Sequence, residues 1–186
     1  MRLIICPGFH APELTEAFLA ALTPSIEAIV VPTQRCPPYS GAHILEVLHE
    51  AAISTREPLI WIGFSAGVVG AISAGWRWKQ QGGQVGAVFA IDGWGVPLWG
   101  DFPIHRLSHD EFTHGSSALL GSGGDSFYAD PPVEHLELWR SPDTAVGWWL
   151  SAEQPHRRSR TTAASFLTAL LKRYAGNASV SVELSE

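Results

Sequence analysis

Four short apolar runs in the first half of the chain restrict its fold more than any other feature. Each run is apolar almost throughout rather than alternating, which is typical of strands buried on both faces of a sheet. Segments with helical periodicity lie between the runs, so each strand would lead into a helix. This repetition predicts right-handed crossovers and a parallel sheet with helices on both faces. The predicted strands are residues 2–6, 27–31, 58–62 and 85–91.

The intervening segments carry starting signals for helices. Pro12 suits the first turn of one helix, Ser40 can cap a second, and a third is expected to begin at Ala66. Near the end of the chain, a last helix is predicted from an apolar face of five residues. This face consists of Phe166, Leu167, Leu170, Leu171 and Tyr174.

The pattern changes after the fourth apolar run. Residues 93–117 contain glycine, proline, tryptophan and three histidines without clear periodicity, and we expect a long loop above the sheet. Two further strands are expected at residues 118–122 and 135–139. We therefore predict an α/β fold, a three-layer α/β/α sandwich with a mostly parallel sheet of about six strands. It would form one domain over residues 1–176, followed by a tail at 177–186.

Composition argues against several classes of function. A net charge of −6 with only 12 lysines and arginines makes a nucleic-acid or anionic membrane surface an unexpected partner. No apolar run approaches the ~20 residues that cross a bilayer. The two cysteines fit neither a disulfide framework nor a zinc site, which favours the cytoplasm and no bound metal. Without a P-loop or a dinucleotide-binding glycine motif, no cofactor is expected.

The most informative motif is GFSAG, residues 63–67. It directly follows a predicted buried strand and opens a predicted helix, which is the setting of a nucleophile elbow. Gly63 and Gly67 keep the positions two residues before and after Ser65 small, as such a strained turn requires. The positive end of the following helix would favour a developing oxyanion. These features predict that Ser65 is a nucleophile.

Together with the CPGFH turn after the first strand, GFSAG resembles the α/β-hydrolase family in a minimal form. The resemblance covers roughly residues 2–174 and begins at what would be the third strand of that family. In that family, the turn and the residue after the nucleophile supply the N–H groups that bind the oxyanion. The resemblance therefore implies Phe9 and Ala66 for this role.

The chain order of the family, serine, then aspartate or glutamate, then histidine, implies an acid after Ser65. Asp125, in a glycine-rich turn, is the closest positional match, and Asp130 is the neighbour that would replace it. Asp92 is a third candidate, because it ends the run at 85–91 and some hydrolases take the acid from that earlier strand.

The histidine has a weaker sequence signal, because the usual Gly-His pair after the last strand is missing. His156 keeps the chain order and precedes the last helix, so it is the first candidate for the base. His114, near the end of the predicted loop at 93–117, is the alternative. His105 and His109 from the same loop, and His10 after the first strand, rank below these two.

We therefore expect a serine hydrolase that cleaves a small carboxylic ester or thioester through an acyl-enzyme on Ser65. Trp94, Trp99 and Phe102 are expected to line a site for an apolar acyl or aryl group. The alternative, favoured by the missing Gly-His pair, is a binding or scaffold protein that keeps this fold without catalysis.

Overall fold

A computed structural model describes residues 1–22, 27–121, 123–154 and 157–180. Within these ranges, eight strands and six α-helices form around one sheet. The strands are β1 (Arg2–Cys6), β2 (Ala28–Val30), β3 (Leu59–Phe64), β4 (Val85–Ile91), β5 (Ile104–Ser108), β6 (Ser126–Ala129), β7 (Val146–Leu150) and β8 (Arg158–Thr162). The helices are α1 (Pro12–Ala21), α2 (Gly41–Glu50), α3 (Ala66–Gln80), α4 (Glu111–Ala118), α5 (His135–Arg140) and α6 (Ala163–Val180).

The strands lie in the order β2-β1-β3-β4-β5-β6-β7-β8. β1 to β6 are parallel, whereas β7 and β8 pair antiparallel at one side of the sheet. The predicted α/β class with a mostly parallel sheet is confirmed, although the sheet has eight strands rather than about six. Because parallel strands run in one direction, β1 to β6 all end at the same edge. That edge carries the candidate site.

The sheet separates two apolar layers. Successive side chains of a strand point to opposite faces. In β3, therefore, Ile60 and Ile62 pack in one layer with residues of α1, α5 and α6. Trp61 packs in the other layer with residues of α2 and α3. This alternation explains why the central strands read as continuous apolar runs.

Several local predictions are confirmed. Pro12 begins α1, and the Ser40 hydroxyl accepts a hydrogen bond from the His43 amide at 3.4 Å at the start of α2. α3 begins at Ala66, and the apolar face predicted for α6 packs on the sheet. Among the described residues, no helix is both long and apolar enough to cross a membrane.

The prediction of a long loop at 93–117 is wrong, because this segment contains β5 and most of α4. β5 carries polar residues that are nevertheless buried. The His105 ring bonds to the Asp125 carbonyl oxygen at 2.9 Å, and Arg106 Nε donates to the Gly121 carbonyl oxygen at 2.6 Å. These partners satisfy the hydrogen-bonding groups of His105 and Arg106 inside the fold. Because β5 contains these polar residues, its sequence does not show the apolar run that marks the other central strands.

The strands predicted at 118–122 and 135–139 are also wrong. α4 ends at Ala118, and residues 135–139 belong to α5. α5 buries Leu138 and Trp139 next to each other, whereas a strand would alternate its apolar residues. α6 continues to Val180, past the predicted start of the tail at residue 177, and residues 181–186 lie outside the described part of the chain.

Candidate active site

Ser65 occupies a strained turn between β3 and α3. Its backbone has φ +52° and ψ −122°, in a region that side-chain-bearing residues rarely adopt. The Ser65 amide donates to the Ile91 carbonyl oxygen at 2.9 Å, which ties the turn to the end of β4. A residue held in such a conformation costs on the order of 1–3 kcal/mol, and residues of this kind cluster at functional sites.

Two glycines allow the elements around Ser65 to approach closely. A Cβ atom on Gly67 would lie 2.0 Å from the Cys6 carbonyl oxygen, so only hydrogen fits where α3 meets the end of β1. A Cβ atom on Gly8 would lie 3.0 Å from Ser65 Cβ. The turn after β1 therefore contacts the serine directly.

The backbone N–H groups of Phe9 and Ala66 take no part in the regular hydrogen bonds of the helices and strands. Within the described ranges, neither donates to a protein acceptor. Ala66 is the first residue of α3, where helix N–H groups have no intrahelical partner. The Phe9 side chain is 70% exposed and is not among the residues that line the cavity beside Ser65.

A cavity of about 440 Å³ opens beside Ser65 at the carboxyl edge of the sheet. Three neighbouring strands each lead directly into a polar residue at this cavity: Ser65 follows β3, Asp92 follows β4 and His109 follows β5. His135, the first residue of α5, comes from the segment after β6. The lining residues are Ser65, Ala66, Val69, Asp92, Trp94, Val96, His109, Thr113 and His135.

Asp92 is a buried carboxylate held between two imidazoles. Its Oδ2 atom lies 2.9 Å from His109 Nδ1 and 2.8 Å from His135 Nδ1, and its Oδ1 atom accepts the His109 amide at 2.9 Å. Burial alone would raise the pKa of Asp92, but the hydrogen bonds from both histidines outweigh it and hold the pKa below its usual value. The carboxyl group is therefore ionised at neutral pH.

The two histidines differ at their second ring nitrogen. His109 Nε2 lies 3.2 Å from Asp110 Oδ2, so both nitrogens of His109 face carboxylates. The bond to Asp92 raises the pKa of His109, and partial burial offsets part of that rise. His135 Nε2 has no hydrogen-bond partner among the described residues. His135 is thus the histidine with a nitrogen available to accept a proton.

Ser65 Oγ makes no hydrogen bond within the part of the chain that the structure describes. In substrate-free hydrolases the bond between nucleophile and base is often long, and it tightens when substrate binds. Ser65 and His135 line the same cavity, and Asp92 orients the His135 ring there. The three residues also follow the chain order serine, aspartate, histidine.

Asp125, the first candidate for the acid, lies at the opposite edge of the sheet. It directly precedes β6, whereas Ser65 directly follows the parallel strand β3. Its carboxylate accepts hydrogen bonds from Trp149 Nε1 at 3.0 Å and from the Ala152 amide at 2.9 Å. The structure thus separates Asp125 from Ser65 and places Asp92, one of the alternatives, beside the serine.

Asp130 follows β6 at the same edge as Ser65, but other partners hold its carboxylate. Trp148 Nε1 donates to it at 2.8 Å, and the Arg160 guanidinium lies 3.1 Å away. Within the described ranges, no histidine bonds to Asp130. This residue therefore belongs to the packing of β6 against β7 and β8.

His114, the alternative candidate for the base, does not line the cavity. His156 lies outside the described residues. His114 is on α4, one position after Thr113, and a helix turns by about 100° per residue. Because Thr113 lines the cavity, the His114 ring points elsewhere and lies 5.4 Å from the Tyr128 ring.

Of the three aromatic residues expected to bind substrate, only one lies at the cavity. Trp94 lines the cavity. Trp99 packs on Trp76, with ring centroids 5.1 Å apart, and Phe102 is buried against the same ring at 5.4 Å. Neither Trp99 nor Phe102 is among the residues that line the cavity. Of the proposed aromatic contacts, the geometry therefore retains Trp94.

Two histidines that line the cavity with Ser65 had little support from the sequence: His135 was not a candidate, and His109 ranked below His156 and His114. The apolar residues after His135 suggested a strand at 135–139. This histidine was therefore expected within a strand and not in the segment that follows one. The family order of serine, acid and histidine supplied a usable signal, since His135 comes after both Ser65 and Asp92 in the chain. His109 was one of three histidines in a segment predicted to be a loop, and the end of β5 would have singled it out.

Asp92, His109 and His135 are also a set of possible metal ligands. One donor atom from each lies within 4.8 Å of the others. The sequence shows no zinc motif because these residues are far apart in the chain: His109 is 17 positions from Asp92, and His135 is 43. The fold alone brings them together.

No protein-family model and no curated protein sequence matches the chain. The function is therefore inferred from the residues of the site.

Proposed function

We propose that the protein is a serine hydrolase that cleaves a carboxylic ester or thioester through an acyl-enzyme on Ser65. The observation that carries the proposal is the convergence of three groups at one cavity: a serine in a strained turn, a buried carboxylate, and a histidine bonded to it. A serine hydroxyl without a positioned base is a poor nucleophile near neutral pH. The Asp92–His135 pair supplies that base.

The chemistry follows from the protonation states. With Nδ1–H donated to Asp92, His135 Nε2 carries a lone pair and accepts the Ser65 proton as Oγ attacks the carbonyl carbon. The ionised Asp92 stabilises the imidazolium that forms. His135 then returns the proton to the leaving group, and a water molecule hydrolyses the acyl-enzyme by the same route.

The oxyanion would be bound by backbone N–H groups. The amides of Phe9 and Ala66 are free of protein acceptors in the described ranges, and the Gly8 turn contacts Ser65. The N-terminus of α3 adds the positive end of its dipole. These groups are placed by backbone packing and need no reorganisation during the reaction.

The cavity favours a small apolar acyl or aryl group. Val69, Val96 and Trp94 line it, and its titratable lining residues, within the described ranges, bond to one another. A volume of about 440 Å³ lies in the range of small-molecule sites. Among the described residues, no lysine or arginine lines the cavity, so neutral substrates are expected.

A fluorophosphonate probe tests the proposal directly, because it reacts only with an activated serine. We expect the wild-type protein to be labelled and the Ser65→Ala variant to remain unlabelled. Turnover of p-nitrophenyl esters of increasing chain length would then report the acyl preference. Absence of labelling at high probe concentration would instead support a binding protein that keeps the fold without catalysis.

A further inference from the structure

The Asp92–His109–His135 cluster has the donor atoms of a transition-metal site. Both histidine Nδ1 atoms point at a single carboxylate oxygen, at 2.9 Å from His109 and 2.8 Å from His135. Two imidazole nitrogens and one carboxylate oxygen are a ligand set for Zn²⁺ and related divalent ions. With metal–ligand distances of about 2.0–2.2 Å, neighbouring donor atoms are about 3–3.5 Å apart. The two pairs that include Asp92 Oδ2 already have nearly this spacing, and all three donor atoms lie within 4.8 Å of one another.

Outer hydrogen bonds orient two of the three donors. His109 Nε2 lies 3.2 Å from Asp110 Oδ2, so Nε2–H can donate to that carboxylate and hold the ring when Nδ1 gives up its hydrogen bond to Asp92 and binds an ion. The His109 amide holds Asp92 through its other oxygen at 2.9 Å. Metal-bound histidines are commonly fixed by a carboxylate in this way, and the carboxylate ligand is itself hydrogen-bonded.

The cluster also leaves room for further ligands. Its three residues line the cavity of about 440 Å³ together with Ser65. A zinc site with three protein ligands keeps a fourth position for water or another small molecule. Asp92 and Asp110 each contact a ring nitrogen of His109, and their two negative charges complement the charge of a divalent ion.

We infer that Asp92 Oδ2, His109 Nδ1 and His135 Nδ1 bind one divalent transition-metal ion of the Zn²⁺ type, and that the bound ion inhibits the hydrolase. The ion replaces the two hydrogen bonds to Asp92 Oδ2. When Nδ1 of His135 binds the ion, the ring proton moves to Nε2, which then has no lone pair for the Ser65 proton. The change of tautomer at His135 involves no net gain or loss of a proton, and the proton that His109 Nδ1 shares with Asp92 is released to solvent when this nitrogen binds the ion. The inhibition rests on the proposed function, whereas the binding does not.

Calorimetric titration of the full chain with ZnCl₂, and absorption spectroscopy with CoCl₂, test the binding. We expect one equivalent to bind to the wild-type protein and equally to Ser65→Ala, with cobalt bands typical of nitrogen and oxygen ligands. His109→Gln should abolish this binding, and Asp110→Asn should weaken it about 10-fold. His49→Gln, a change of an exposed histidine on α2, should leave it unaltered.

Inhibition is read separately, as loss of p-nitrophenyl ester turnover over the concentration range in which Zn²⁺ binds, with recovery after EDTA. No binding, or binding that survives both Asp92→Asn and His109→Gln, would overturn the metal site. His109→Gln keeps the test valid if Asp92→Asn does not fold, because the His109 side chain is partly exposed. Metal binding without any esterase activity would overturn the proposed function and leave the site standing.

Discussion

The imidazole ring of His135 stacks on the ring of Phe64, the residue directly before Ser65, with ring centroids 4.7 Å apart. Phe64 stacks in turn on Trp139, and Trp139 on Phe18, at 4.9 and 3.7 Å. A column of aromatic rings thus runs from the core to the site. One end of His135 is held by Asp92 and one face by this column, so the ring has little freedom to turn away from Ser65.

Shortening the column should therefore impair catalysis more than folding. We expect Phe64→Leu to lower kcat by about 10- to 100-fold, because a small displacement of the base is costly, with a loss of stability of about 1 kcal/mol. Phe127→Leu is the matched control, since Phe127 is equally buried in the same layer on β6. Equal kcat values for the two variants would contradict a positioning role for Phe64.

The two histidines bonded to Asp92 should be unequal in catalysis. His135→Gln removes the base, and loss of a member of a serine triad costs roughly 10⁴- to 10⁶-fold in kcat. His109→Gln removes one partner of Asp92 and should cost far less. The comparison uses kcat for a p-nitrophenyl ester in metal-free buffer. A larger loss in His109→Gln than in His135→Gln would reverse the assignment of the base.

Substitution of Asp92 should mainly reduce kcat, whereas the same substitution of Asp125 should mainly reduce the free energy of unfolding. Asp92→Asn should lower kcat by about 10⁴-fold, because an amide cannot hold the required tautomer or stabilise an imidazolium. Asp125→Asn should keep full activity and lose about 1–2 kcal/mol of stability, since Asp125 is buried with Arg173 3.6 Å away. If Asp125→Asn is inactive while remaining folded, the acid has been assigned to the wrong residue.

The close approach of α3 to β1 should make Gly67 intolerant of any side chain. Gly67→Ala would place Cβ 2.0 Å from the Cys6 carbonyl oxygen and should cost about 3 kcal/mol or prevent folding. Gly115→Ala is the control, because Gly115 lies in exposed α4 with nothing within 4 Å of the added atom. It should raise stability by about 0.5–1 kcal/mol. Urea denaturation of both variants measures the difference.

Acid should destabilise the fold partly through His105. This buried ring bonds to the Tyr174 hydroxyl at 2.6 Å, and burial lowers its pKa below the usual value. As pH falls below about 6.5, the unfolded chain takes up a proton that the folded chain does not. The free energy of unfolding therefore falls with decreasing pH, by at most about 1.4 kcal/mol per pH unit for this group.

Urea denaturation between pH 8 and pH 5 measures this dependence. His105→Gln should show a smaller fall in stability over the same interval than the wild-type protein does. An identical pH dependence in the two proteins would show that His105 does not contribute.

The sequence predicts the central strands well because their apolar composition can be recognised without knowing which distant residues they contact. β3, β4 and all of β1 after Arg2 lack polar side chains, and the GFSAG turn carries its own small residues. β5 could not be found this way, since its buried polar groups depend on distant partners. Arg106 bonds to Gly121, 15 positions away, and His105 bonds to Tyr174, 69 positions away.

The placement of Asp125 away from Ser65 has a related reason. A strand at 118–122 would have put Asp125 after its end, at the edge that holds Ser65. The actual strand β6 begins at Ser126, so Asp125 comes before it and lies at the other edge. Moving one strand by a few residues therefore carries a side chain across the full height of the sheet, and local patterns do not fix strand positions that closely.

Backbone hydrogen bonds at the edge of the sheet fix the positions of Ser65 and Asp92 but do not include the residues that shape the cavity wall. Ser65 donates to Ile91, and the amide of Asp92 donates to Leu107, so the reacting residues are fixed by the ladder of β3, β4 and β5. Trp94 and Val96, which line the cavity, come after this ladder ends. Substitutions at these two positions would alter which acyl groups fit without moving the serine or the carboxylate. In the proposed hydrolase, selectivity could thus change, by natural variation or by engineering, while Ser65 and Asp92 keep their positions.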